Sequence, residues 1–228
     1  MPIALQSPLM ARIAEDLLLL LLDNPEAQPR LDRSQLGHVL SAGLILDLAL
    51  DCRVRPALPD DPVPPGHLLA LAGPLPLDPA VRPTLALLHE QPLTPEAAIA
   101  ELRKRAEDDV LDQLLRTGQI HQIALTEHRL RRNHYRWPVK NRGRVAVVRS
   151  EVLGALFEQR RPQPVVAAVI SLLHAVDGLD AVLDLNEEGR QAVALRAAEI
   201  VGGDWVDSSE TAEVNLSVTA TAVLSALI

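Results

Sequence analysis

The chain has 228 residues, a formal net charge of -8 and a sequence pI near 5.3. Its length suits one domain with a sizeable core, and its acidic balance opposes generic attraction to nucleic acid or an anionic membrane unless a local basic patch reverses the field. Aromatic residues make up 2% of the chain, which favours a Leu/Ala/Val core of close-packed helices and leaves few rings on which bases could stack.

Near the start, Arg12 to Asn24 reads RIAEDLLLLLLDN. The run Leu17 to Leu22 is far shorter than the roughly 20 apolar residues a membrane span needs, and Asp16 and Asp23 bracket it. Little positive charge precedes the run and no small-residue cleavage site follows, so a signal peptide is not expected. Leucine favours helix and none of the six is β-branched. The expectation is a helix over about Leu9 to Leu22, buried on most faces, with membrane-surface docking of a few leucines as the alternative.

Asp32 and Gln35 fit a capping box at the start of a second helix. Leu36, Val39, Leu40, Leu44, Leu46 and Leu50 give that helix a broad apolar surface, and Ala42 and Gly43 permit close approach of a neighbour. Arg53 to Arg55 reads as a short extended exit. Pro56 to Pro83 holds nine prolines, which interrupt helices and remove donors. The apolar LLALAG within it favours a loop packed over the core rather than a free tether, with a short helical piece at His67 to Leu71. Leu85 to His89 is a further short helix. Thr94 caps the next, with Pro95 in its first turn. That helix continues through Ala98 to Arg116 and ends at Gly118.

Ile120 to Thr126 and His134 to Val139 read as extended segments flanking the most basic region, His128 to Arg144. Pro138 argues against an uninterrupted helix or central strand, and Asn141-Arg142-Gly143 supplies turn chemistry. The region 120–145 is therefore expected to be a basic extended arm or β-hairpin. Four helices follow: one from a Ser150 cap to Phe157, one after Pro162 and Pro164, one opened by Asn186, and a closing one within Glu210 to Ile228.

The chain has no phosphate-binding P-loop, dinucleotide glycine motif, paired-Cys pattern, HExxH or GxSxG. The lone Cys52 excludes an intrachain disulfide framework and suits a cytoplasmic setting. Placed after an apolar helix, it reads as a small buried hydrophobe. The seven histidines form no ligand spacing, and adjacent acids such as Asp108/Asp109 diverge on a helix. The expectation is a protein that is not an enzyme and holds no metal or cofactor.

In order, IAEDLLLLLLDN, LSAGLILDLALDCRV, LLRTGQI, HYRWPVKN and AVISLLHAVDGLDAVL resemble the Golgi phosphoprotein 3 (GPP34) family, particularly its bacterial members. The resemblance runs from about Leu9 to the C-terminus, and its specificity lies in the order and spacing of the pieces. It implies a mostly α fold: one globular helical domain over 9–228, with the Pro-rich packed loop 56–83 inside it and a projecting β-hairpin. It also implies noncatalytic, peripheral binding of phosphatidylinositol 4-phosphate and self-association through the hairpin. A bacterial member has no Golgi to serve, so the adaptor role in glycosyltransferase retention is not carried over.

The family's lipid-site tryptophan and arginine fall approximately at Asp32 and Ser41, which supply neither ring nor charge. Its two middle-helix basic positions fall near Arg103 or Lys104 and near Ala106 or Glu107. The headgroup candidates are therefore Arg103, Lys104 and Arg105, and the hairpin contact candidates are Tyr135, Arg136, Trp137, Lys140 and Arg142. The expected partners are an anionic phosphoinositide membrane surface on the inner membrane face, a second copy through the hairpin, or another protein, with no nucleic acid. The alternative is a protein-interaction or oligomerisation module without lipid binding.

Overall fold

The structure is a computed structural model, and it describes residues 12–124, 135–203 and 210–227. The first helix, α1 (Ile13–Leu22), has all ten residues buried. Its six leucines leave no polar face beyond the first turn, and such a helix belongs inside the core rather than at its edge. It packs chiefly on α2 (Arg33–Leu50) and also touches later helices. Gly43 makes the crossing close, because a Cβ there would stand 3.1 Å from the Ala14 Cα. Leu9, where the helix was expected to begin, lies outside the described residues.

Both halves of the expected capping box at α2 are formed. Asp32 Oδ1 accepts from the Ser34 and Gln35 backbone at 2.8 and 2.9 Å, and Asp32 N donates to Gln35 Oε1 at 3.2 Å. After α2 the chain turns through Cys52, which has φ 53° and is half-buried rather than buried. The β-strands β1 (Val54–Pro56) and β2 (Leu68–Ala70) then pair antiparallel, Val54 against Ala70. The short helix expected at His67 to Leu71 is thus a strand. Its residues are held from both sides, since Leu71 N donates to Arg53 O and Leu68 N to Leu93 O, each at 2.7 Å. Within the Pro-rich stretch, Val63, Leu68, Ala80 and Val81 are buried, the last two in a 3-10 turn at Pro79–Val81 that leads into α3 (Arg82–Glu90).

The helix expected to run on from Ala98 to Arg116 is two helices, α4 (Pro95–Leu102) and α5 (Ala106–Arg116). Neither glycine nor proline marks the break. It comes from packing: α4 lies against α2 and the last helix, whereas α5 lies against α1, α2 and the 3-10 turn. One straight rod would not serve both sets of neighbours. After Gly118, at φ 68°, the base of a hairpin forms. Ile120 bridges Val139, and β3 (Ile123–Ala124) pairs antiparallel with β4 (Tyr135–Arg136) in the same register. Arg129, Arg131 and Arg132 lie outside the described residues.

The turn expected at Asn141 to Gly143 is instead the start of α6 (Arg142–Phe157), with Asn141 Oδ1 accepting from Arg144 N at 3.2 Å. Ser150 is therefore inside a helix and caps nothing. Buried Val145, Val152, Ala155 and Leu156 hold the whole length of α6 on the core. The helices α7 (Pro164–Ala175), α8 (Glu187–Gly202) and α9 (Thr211–Ser225) complete the domain, α7 and α9 packing on α2 and on each other. The fold is mostly α with two small antiparallel strand pairs among the described residues. No helix among them is long and apolar enough to cross a membrane.

Candidate functional site

Two neighbouring concavities share Arg33 on the first turn of α2. One, of about 290 Å³, is lined by Arg33, Ser34, Arg103 and Lys104, all exposed. Arg103 and Lys104 sit on the turn between α4 and α5, so the break in the expected helix is what swings them beside α2. The third headgroup candidate, Arg105, does not line this surface. Its guanidinium grips Asp109 one helical turn on, with Nε to Oδ2 at 2.8 Å and Nη2 to Oδ1 at 3.1 Å.

Arg33 and Ser34 were missed by sequence reasoning. Their only local signal is that they follow a helix cap, and a helix start is common. Their closeness to Arg103 depends on Gly37. A Cβ on Gly37 would lie 2.5 Å from the Arg103 carbonyl oxygen, so a glycine is what lets the end of α4 rest on α2. In an open helix, Gly→Ala stabilises by about 1 kcal/mol. Here overpacking costs about 1–3 kcal/mol, and Gly37→Ala is expected to lower stability by about 1–2 kcal/mol in urea titration. The comparison is Gly202→Ala at the end of α8, where a Cβ meets nothing within 4 Å and no loss is expected. A stabilised Gly37→Ala would show that the two helices are not held this closely.

The second concavity, about 450 Å³, lies between α5 and the hairpin. Leu31, Leu36, Leu111 and Leu115 supply apolar lining, and Glu107, Asp108 and Asp112 the acidic side. Burial, with Asp108 beside it, raises the Glu107 carboxyl above its ordinary range, against the pull of Arg33.

The hairpin candidates Tyr135 and Trp137 also line this concavity, with ring centroids 5.8 Å apart at 48°. Trp137 is half-buried against the core. Its backbone N donates at 2.8 Å to Ala27 O, away from the hairpin partner, and Gln28 Nε2 donates to Tyr135 O at 3.1 Å. The loop after α1 thus pins the returning strand. Arg136 and Lys140 are exposed. Arg142, expected on the arm, is the first residue of α6 and exposed there.

Among the described residues no group of three or more His, Cys, Asp or Glu is placed to hold a metal ion. The family model described as Golgi phosphoprotein 3 (GPP34) matches residues 13–215, and the chain belongs to that family. No curated protein matches it.

Proposed function

We propose that this member of the Golgi phosphoprotein 3 family is a noncatalytic peripheral binding protein. It holds the phosphates of an anionic phosphoinositide headgroup, of the phosphatidylinositol 4-phosphate type, at Arg33, Ser34, Arg103 and Lys104. The supporting observation is that three cations and a hydroxyl from two separate elements converge on one open concavity. Guanidinium groups suit phosphate because they offer paired, directional donors. The hairpin lies next to this site through the shared Arg33, and its exposed Ile123 and Tyr135 give the surface apolar contact.

Co-sedimentation with neutral, generic anionic and phosphatidylinositol 4-phosphate vesicles tests the reading. Binding selective for the phosphoinositide is expected, lost in Arg33→Ala/Arg103→Ala/Lys104→Ala and kept in Arg105→Ala, whose guanidinium is already engaged. Absence of binding to every vesicle at low salt would sink the lipid reading. A protein-interaction module would then be favoured by the exposed Val147 and Phe157 on α6 and Val214 and Val218 on α9.

A further inference from the structure

The concavity between α5 and the hairpin has chemistry opposite to that of its neighbour. Its rings and carboxylates come from different elements, with Tyr135 and Trp137 on the returning strand and Asp108 and Asp112 on α5. Acids in the first turn of a helix complement its positive end, and that accounts for Glu107, Asp108 and Asp109, the last of which Arg105 also neutralises. It does not account for Asp112 in the second turn. Asp108 and Asp112 stand one turn apart on the same face, both exposed, and neither makes a side-chain hydrogen bond or ion pair among the described residues. Across from them the tilted ring pair is fixed by the Trp137 N to Ala27 O hydrogen bond. The hollow between is large enough for a small molecule and has leucine side chains along it.

Aromatic rings and carboxylates around a hollow with leucines along it share one preference: a positive charge on an organic frame. The ring quadrupole attracts the cation, and the acids add Coulombic attraction and, for N–H donors, acceptors. We infer that this concavity binds an organic cation, an alkylammonium or guanidinium group carried on a short apolar stem. Glu107 and Arg33 adjoin the site with opposite charges, so Arg33 opposes occupancy. The inference does not rest on the phosphoinositide reading, and the cation titration that decides it contains no lipid.

The full-length protein is titrated with choline, with agmatine, and with 3,3-dimethyl-1-butanol, the neutral isostere of choline. Trp137 fluorescence is followed in a Trp205→Phe background, so that Trp137 is the one tryptophan. A saturable change is expected with choline or agmatine and none with the neutral compound. Asp108→Asn/Asp112→Asn is expected to weaken the cation about fivefold or more, since it removes the screened attraction of both carboxylates. Both positions are exposed and the change is isosteric; circular dichroism verifies folding.

Arg33→Ala gives a second, independent variant. It is expected to tighten the cation while weakening phosphoinositide vesicle binding, so one substitution moves the two sites in opposite directions. An equal response to the neutral isostere overturns the inference, as does an unchanged affinity in the double Asn variant. Silence of both fluorescence and the Trp137 indole NMR signal with either cation overturns it too. Failure here leaves the vesicle result standing, and failure of vesicle binding leaves this titration standing.

Discussion

Arg144→Ala is expected to destabilise the protein by about 3–5 kcal/mol, the usual cost of removing one partner from a buried ion pair. Arg144 stands near the start of α6, directly after the hairpin, and reaches the two acids that open α1. Its Nε donates to Asp16 Oδ1 at 2.7 Å and its Nη1 to Glu15 Oε2 at 2.6 Å. The side chains are 10%, 7% and 4% exposed for Arg144, Glu15 and Asp16, so water cannot replace the lost guanidinium.

Arg144→Lys is expected to recover little, because an ammonium lacks the planar fork that reaches both acids. Arg144→Met with Glu15→Gln and Asp16→Asn is expected to recover most of the loss, since it removes the buried charges together. Burial raises the Asp16 carboxyl above its ordinary range even with Arg144 pulling it down. Without that pull the folded-state value rises further. A carboxyl raised in the folded state holds its proton better there than when unfolded, so its contribution to stability is lost as pH rises. The damage from Arg144→Ala should therefore be larger at pH 8 than at pH 5. Equal losses at both, measured by urea titration, would contradict this account of the triad.

The second large effect is at Asp47. The N-cap residue of α1, Arg12, makes no side-chain cap bond. The cap is supplied instead from α2, where the Asp47 carboxyl group accepts from Ile13 N at 2.7 Å and Ala14 N at 3.1 Å. Asp47 is 1% exposed. Asp47→Ala leaves both N–H groups buried without a partner, each costing about 1–3 kcal/mol, so a loss of about 3 kcal/mol is expected.

Burial pushes the Asp47 carboxyl up to about 8, against the lowering by the two N–H donors and Arg12. The folded protein binds this proton more tightly than the unfolded chain, whose carboxyl has the ordinary value of 3.8, so stability falls as pH rises between about 4 and 8. The slope from this one group approaches about 1.4 kcal/mol per pH unit inside the window. Asp47→Asn removes the titration, and its stability should vary less with pH than that of the parent protein between pH 5 and 8. Parallel curves for the two would exclude Asp47 as the source of the dependence.

Much of the architecture was legible because it is carried by neighbouring residues. The leucine run from Leu17 to Leu22 declared a helix by its residue type and a buried one by its lack of a polar face. Asp32 with Gln35, and Thr94 before Pro95, announced helix starts by rules that act within one turn. Thr94 Oγ1 accepts from Ala97 N at 3.3 Å. Pro138 and the extended segments around it marked the hairpin. The errors have a common origin. Residues 98–116 carry an unbroken helical pattern, and only the separate neighbours of α4 and α5 divide it. Ser150 has the chemistry of a cap, but the apolar face on both sides of it keeps α6 continuous.

The candidate site was legible in part. Arg103 and Lys104 could be chosen from their charge and place in the chain. The diversion of Arg105 to Asp109 was open to view, since the two are four residues apart on a helix, yet that spacing does not say whether the arginine will prefer a phosphate. Arg33 was beyond reach. It is 70 positions from Arg103, and what joins them is the missing side chain of Gly37, which lets the end of α4 settle on α2. Asp47 capping α1 and Arg144 reaching Glu15 are of the same kind. Composition, capping and proline act along the chain and so determined the buried leucine helix and the capped helix starts, but not the break between α4 and α5 or the start of α6. Which charges are neutralised, which are buried and which converge on one surface depends on contacts between distant residues, and packing alone decided those.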